Sequence, residues 1–529
     1  MRFDVVISGG RVLDGTGAPP YRADVAVAGG RIAAIGRLGG AEAEAVIDAT
    51  GRFVAPGFVD CHAHGDAAVF DPAVQRAALR QGVTTFVLGQ DGLSFAPGSA
   101  ATVAYASRYF AAVNGPLAVN GRPTADGQLA VNGPLAADGP LPLTVGELLG
   151  GYDRAVALNT AYLLPHGTIR YDVMGPSPEP PSRDHLAAML RHVERGLSEG
   201  AVGLSTGLEY LPGRYATAEE LAALCAPLGG LPYVTHMRAY GAQAGVGMTE
   251  VMEIAERSGA AVHVSHLHGP ADVLLPLVEE ALGKGVDLTF DTYPYLRGNT
   301  ILAMVVLPGS VPGAETDRAL EMIASDELDG WWPTLDAVWP RLTVSHAPGM
   351  EWAEGLTIVA AAERDGSAPA EFCRRLLTET RLEAGVVSAR PDEGPEGEES
   401  VRRMLRHPSH TGGSDGIYVG GHPHPRGFGA FARFLGRHVR ELADWTWEQA
   451  VVHLASHPAR RFGLADRGLV RSGFAADVVV FDPAAVGDRA TYENPRTLAA
   501  GVDDVLVSGV RVLAGGELTG ATPGRALRP

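Results

Sequence analysis

The middle of this chain keeps a rhythm that few folds can accommodate. Short apolar runs ending in a polar or titratable residue alternate with longer helical patterns. VTTFVLG, AYLLPHG, AVGLSTG, PYVTHM, AVHVSH and DLTFDTYP are the strand-like runs, and RDHLAAMLRHVERGLSEG is the clearest helical one. Strands alternating with helices give βα units and a parallel sheet. Sustained across residues 58–465, with polar groups placed after each strand, the rhythm predicts a closed (β/α)8 TIM-like barrel rather than an open sheet. In such a barrel chemistry gathers at the C-terminal ends of the strands.

The flanks read differently. Residues 1–57 hold short apolar runs parted by Gly and Asp-Gly turns, as in DVVISGGRVLDG and ADVAVAGGRIAAIG, and residues 466–529 repeat the style in ADVVVFDP and VDDVLVSGVRVLAGG. An α/β chain is therefore expected, its barrel joined to a small β-sandwich built from both termini. Two stretches break the barrel rhythm. Residues 111–141 carry the near-copies AAVNGP, PLAVNG, QLAVNG and PLAADG, too short in period for a solenoid, and read as a surface loop insertion. Residues 300–345, with Trp331 and Trp332, read as a lid over the active site.

Bulk properties exclude several classes. A net charge of −18 argues against a nucleic-acid surface. No apolar run reaches membrane-spanning length. The opening MRFDVVISGG reads directly as strand and turn, so a cytoplasmic location is expected. Cys61, Cys225 and Cys373 form no CxxC pair, which points away from a disulfide framework. The expected partner is a small molecule, with neither nucleic acid nor membrane, in a chain compatible with homo-oligomers.

Candidate metal ligands sit where the barrel puts chemistry. His62 and His64, in PGFVDCHAHGD, alternate after an apolar run, so both imidazoles share one face at a strand end and suit zinc. His236 ends PYVTHM and His266 ends AVHVSH. Each histidine alone reads as a packed core residue, but four imidazoles from three strand ends of one barrel point to a metal. Asp415, in HTGGSDGI, reads either as a carboxylate that ligates the metal and acts as general base, or as an Asp-Gly turn. Asp91, after VTTFVLGQ, either bridges two metals or caps a turn.

The sequence is similar to the N-acyl-D-amino-acid deacylase (D-aminoacylase) branch of the amidohydrolase superfamily. The resemblance is carried by IDATGRFVAPGFVDCHAHGD, GVTTFVLGQDGLSFAP, GAVGLSTGLEYLPGRYATAEEL, THMRAYG, DTYPY, GGSDG and HPRGFGAFARFLG. It implies that His236 and His266 hold a tightly bound zinc, that His62 and His64 serve a second position, and that Asp415 shuttles the proton. It also implies that Asp91 stands at a bridging position usually held by cysteine. Arg426 would pair with the substrate α-carboxylate, helped by Tyr293 or Tyr295. His268 stands where the family commonly has a lysine that assists the same carboxylate, and its help is expected to grow as pH falls and it gains charge.

The implied chemistry is hydrolysis of a linear amide assisted by one or two zinc ions. Asp415 takes a proton from the attacking water and returns it to the leaving amine, releasing a carboxylic acid and a D-amino acid. Hydrolysis of a cyclic amide, as by hydantoinases or dihydroorotases, is the alternative, together with cleavage of dipeptides with a D-residue. The usual lysine bridge of the cyclic-amide enzymes has one candidate here, Lys284, the sole lysine, placed before a strand and away from the chemistry. A non-catalytic scaffold homologue predicts missing ligands, and none of these residues is missing.

Overall fold

The computed structural model describes residues 2–115 and 143–529. Eight strands form the barrel: β1 (Phe58–Asp60), β2 (Val83–Leu88), β3 (Asn159–Tyr162, continued at Leu164–Pro165), β4 (Leu204–Gly207), β5 (Pro232–His236), β6 (Ala261–Val264), β7 (Leu288–Asp291) and β8 (His410–Thr411). Neighbours pair in parallel, β1 with β2 and β2 with β3, then in sequence from β3 to β8. The Cys61 amide donates to the Gly412 carbonyl at 3.2 Å and closes β8 onto β1, while Val202 donates to Tyr162 and Leu164 to Gly203 across the β3–β4 seam. The eight strands are buried along their whole length, as expected for parallel strands covered by helices on one face and by their own packed interior on the other.

The clearest predicted helix forms over Arg183–Glu199. Ser182 caps it by accepting from the His185 amide, Asp184 sits in its positive first turn, and Gly200 stops it in the left-handed region at φ 114°. Met189, Val193 and Gly196 form its buried stripe. A Cβ at Gly196 would come within 2.3 Å of Leu164 Cδ2, so this glycine sets how closely the helix lies on β3.

Outside the barrel, strands of both terminal segments share one seven-stranded sheet. Phe53–Pro56 pairs antiparallel with Val478–Phe481, which pairs with Val502–Val507. A four-stranded sheet of Phe3–Ser8, Asp24–Ala28, Arg31–Gly36 and Ala43–Asp48 packs on it through Val5, Ile7, Val25, Val54, Val478 and Leu506.

Between β7 and β8 the chain leaves the barrel as an insertion with its own three-stranded antiparallel sheet, of Arg297–Ile301, Leu342–His346 and Gly385–Ala389. The expected lid over 300–345 covers only its first half. Trp332 packs with Trp339 and Phe372 in the insertion's own core, and Trp331 donates to the Val306 carbonyl, so the paired tryptophans build this unit instead of covering the site. Of the expected loop at 111–141, Ala111–Asn114 is a short helix and residues 116–141 lie outside the described residues. Among the described residues no helix is long and apolar enough to cross a membrane.

A histidine cluster beneath β8 gives the fold a pH signature. Burial pushes His453 and His457 down to about 4, and His410 well below the usual imidazole range. His453 stacks on Trp445 at 4.7 Å and bonds the His410 carbonyl at 2.8 Å; His407 adds like charge to it, as Arg460 and Arg461 do to His457. Unfolded histidines protonate near about 6.5, so from there down to the folded values the unfolded chain binds more protons and folding weakens as pH falls. The unfolding midpoint is expected to drop between about pH 7 and pH 5, and His453→Phe to shrink that drop. An equal drop in the variant assigns the acid sensitivity to other groups.

Candidate metal centre

The barrel brings the four histidines and both aspartates together. His62 follows β1, and His64 lies on a two-residue strand that pairs with Gly416–Ile417, directly after Asp415. The Asp415 amide donates to the His62 carbonyl at 2.8 Å, locking the two loops together. His236 is the last residue of β5, and His266 stands two residues beyond β6. Asp91 sits in a tight turn after β2, with its backbone in the left-handed region at φ 54°. His266 at φ 36° and Asp415 at φ 50° are left-handed as well. Non-glycine residues rarely adopt this conformation, and its clustering at one spot marks a site where surrounding structure holds the strain.

The Asp91 carboxylate is the hub. Its Oδ2 lies 3.6 Å from His64 Nε2, 3.5 Å from His236 Nδ1 and 3.6 Å from His266 Nε2, and its Oδ1 lies 3.6 Å from His62 Nε2. Asp415 Oδ1 is 3.2 Å from His64 Nε2 and 3.6 Å from His62 Nε2. Asp91 Oδ1, His62 Nε2 and His236 Nδ1 are buried without a hydrogen-bond partner. Buried polar atoms are almost always partnered, so orphans converging on one point fit a cation. His62, Asp91 and His266 offer ligand atoms within 4.8 Å of one another, and so do His62, His64 and Asp415. Two triads sharing His62 can hold one or two divalent ions, and imidazole with carboxylate suits zinc.

In three of the four histidines the other ring nitrogen is held from behind, while His266 Nδ1 is buried without a partner. His62 Nδ1 meets Asp291 Oδ2 at 3.2 Å, His64 Nδ1 meets Asn114 Oδ1 at 3.3 Å, and His236 Nε2 meets Glu209 Oε2 at 2.9 Å. Such partners fix ring orientation and raise ligand basicity. Asp291 also accepts from the His266 amide at 3.0 Å and contacts His263 Nε2 at 3.1 Å, so one carboxylate steadies two of the four histidines. Asp291, Glu209 and Asn114 were not picked out from the sequence; only Asp291, the charged end of DLTFD, carries the strand-end signal. Burial opposes charge on these rings, but the Asp91 and Glu209 carboxylates push His236 up to about 10, and Asp291 and Asp91 push His62 up to about 9.

The cluster opens into a cavity of about 570 Å³ lined also by Tyr210, Tyr240, Tyr293, His268, Arg390 and Arg426. Arg426 is 1% exposed, its Nη1 lies 2.8 Å from Asp415 Oδ2, and its guanidinium sits 4.6 Å over the Tyr293 ring. Tyr295 does not join it. The Tyr295 amide donates to the Tyr293 carbonyl at 2.9 Å, a two-residue turn about Pro294 that breaks the strand alternation and sends the second ring away. Tyr295 lines a different cavity, against His424 and Tyr492. His268 is in the cavity but carries no charge there: burial first, then Arg390 and His266, push it down to about 3, contrary to the charge gain expected in mildly acidic solution. His166, which ends another strand-like run, faces Glu220 at 2.8 Å and takes no part.

Residues 45–294 and 310–513 match the amidohydrolase family, and the chain belongs to it. It is 35% identical to an N-acyl-D-glutamate deacylase of Alcaligenes xylosoxydans xylosoxydans, over 100% of this chain and 97% of the relative. It is 33% identical to a D-aminoacylase of the same organism, over 99% of this chain and 97% of that relative. Among solved structures, the N-acyl-D-glutamate deacylase from Bordetella bronchiseptica, complexed with zinc and a phosphonate mimic of the tetrahedral intermediate, superposes with a TM-score of 0.81 at 32% identity, covering 100% of both chains.

Two measurements check the centre. His236→Asn and His266→Asn are each expected to lower bound metal and abolish activity, and normal values in both would remove the site from this cluster. Asp291→Asn, which keeps its size but weakens its hold on His62, is expected to lower metal affinity about 10- to 100-fold in competition with a chelator. An unchanged affinity would reduce Asp291 to a packing role.

Proposed function

We propose that this chain is a zinc-dependent deacylase that cleaves the linear amide of N-acyl-D-amino acids, releasing a carboxylic acid and a D-amino acid. The observation that carries the reading is the full-length similarity to deacylases of this kind. The joining of Arg426 to Asp415 beside the histidine cluster supports it. His62, His64, His236 and His266 would hold the metal together with Asp91, in one or two positions. When bound, zinc would supply Lewis-acid polarisation of the acyl carbonyl and a water whose pKa is brought down to about 7.

The chain's own residues do the rest. Arg426 takes the substrate α-carboxylate, with Tyr293 as its neighbour, and so sets the scissile amide before the cluster. Burial would raise the Asp415 carboxyl, but Arg426, His62 and His64 hold it down at about 2, so it is ionised at neutral pH. Asp415 takes the proton of the attacking water and delivers it to the leaving nitrogen. Cyclic amides are the second reading, and a carboxylated-lysine bridge is closed to it: Lys284 is exposed and paired with Glu280 at 2.7 Å, past the end of the helix Ala271–Gly283. A cytoplasmic location belongs to the same proposal, supported by three free, buried cysteines.

The test is a hydrolysis panel of N-acetyl and N-formyl D- and L-amino acids, small dipeptides and hydantoins, with the zinc-loaded protein. Turnover of D-acids is expected, and turnover of hydantoins alone would overturn the proposal. With the best substrate, Asp415→Ala is expected to keep its metal and lose about 10²- to 10⁴-fold in kcat. A loss below about tenfold would remove Asp415 from the proton path.

A further inference from the structure

We infer that Arg390, carried into the cavity by the insertion, is a second guanidinium that holds the substrate α-carboxylate together with Arg426. The inference rests on the deacylase reading and adds to it a residue from outside the barrel. Arg390 follows the strand Gly385–Ala389, whose register places Ala389 against Arg297, and the Arg390 amide donates to the Leu296 carbonyl at 3.2 Å. Its backbone is thus fastened to the segment that carries Tyr293. The side chain is 9% exposed and lines the same cavity as Tyr293, His268 and Arg426. Nε and Nη2 grip the two oxygens of Asp392 at 3.0 and 2.6 Å. This fork fixes the plane of the guanidinium and leaves Nη1 without a protein partner among the described residues.

The charges in the cavity explain why a second cation is needed. Arg426 already faces Asp415, at 2.8 Å, and its Nη2 donates to the Asn299 carbonyl at 3.3 Å. A carboxylate held by Arg426 alone would lie beside the like charge of Asp415 in a buried setting, where repulsion is poorly screened. His268 offers less to offset it, because its Nδ1 is occupied by the His266 carbonyl at 2.6 Å. Arg238, the third arginine lining the cavity, is committed with all its nitrogens, to Glu250, to the Ala216 carbonyl at 2.8 Å and to the Arg214 carbonyl at 2.5 Å. Arg390 is the remaining cation with a donor to spare. Its counter-ion Asp392 is 30% exposed, so water screens that carboxylate, while the Arg390 side chain is 9% exposed and lines the cavity.

The experiment compares the best N-acetyl-D-amino acid of the panel with its C-terminal carboxamide, which keeps the shape and loses the charge. Arg390→Met is expected to raise KM for the acid about 10- to 100-fold, with kcat and bound zinc little changed and the carboxamide barely affected. The Ki of the product D-amino acid should rise in parallel. Arg390→Lys should recover part of the loss, and Asp392→Asn, which loosens the fork without removing the cation, should give a smaller rise in KM. If Arg390→Met keeps the wild-type preference for acid over carboxamide while Arg426→Met loses it, Arg390 is no carboxylate ligand and the deacylase reading stands. If the wild-type zinc protein hydrolyses no N-acyl-D-amino acid, that reading falls and this inference falls with it.

Discussion

One carboxylate within contact range of four imidazoles organises this site, and the fold around it is arranged to keep that carboxylate in place. Asp91 stands on a left-handed turn wedged between β2 and β4. A Cβ at Gly92 would come within 2.7 Å of the Gly207 nitrogen, and one at Gly207 would meet the Asp91 carbonyl at 2.1 Å. The turn therefore has no room to relax, and the aspartate cannot retreat from the histidines. The histidines come from three separate strand ends, and only a closed barrel brings such ends to within a few ångströms of one point. Closure of β8 onto β1 is thus a condition of the chemistry as much as of the fold.

Two kinds of buried carboxylate share the work. Asp91 and Asp415 face the cavity. Asp60 and Asp291 face the frame: Asp60 accepts from the Ser414 and His62 amides at 2.8 and 3.2 Å and so ties β1 to the loop that presents Asp415, while Asp291 ties β7 to His62 and to the His266 backbone. Burial pushes Asp60 up to about 7 despite these donors, whereas Asp291, beside His62 and His263, is held below the usual carboxylate range. The difference is in the partners, amides and a hydroxyl for one and imidazoles for the other. A neutral or half-charged Asp60 can tie two loops without adding to the negative charge at the centre.

The barrel and the cluster of titratable residues at its mouth were legible in the sequence because a parallel strand is a continuous apolar run, and titratable residues at its C-terminal end gather at the cavity, although His166 turns to Glu220 instead. His62, His64, Asp91, His236, His266 and Asp415 all carry that signal. Asp291 carries it too, but it acts through His62, and a residue acting through another leaves no separate mark. Glu209 and Asn114 sit in loops without period. Tyr293 and Tyr295 were indistinguishable because strand alternation puts both on one face; the turn about Pro294 separates them, and it depends on the chain leaving the barrel there. Arg390 lay beyond reach for the same reason, since an insertion folds on its own core and its approach to the cavity follows from how its sheet is fastened to Leu296.

In the proposed mechanism, recognition and proton transfer meet at Arg426. The guanidinium that would hold the substrate carboxylate is the one that already touches Asp415, the proposed proton carrier, and its charge is the strongest of those that hold down that carboxylate's proton affinity against burial. An arginine in a solvated loop could not do this, because exposed ion pairs are weak and screened. At 1% exposure, with Tyr293 on its face, Arg426 has little freedom to turn away, so a ligand's charge is felt at Asp415 without any large movement. The acid end of the substrate is then more than a handle for affinity. In the proposed mechanism it would alter the charge around the group proposed to move the proton, which would tie the selection of amino-acid amides to their cleavage through a single side chain.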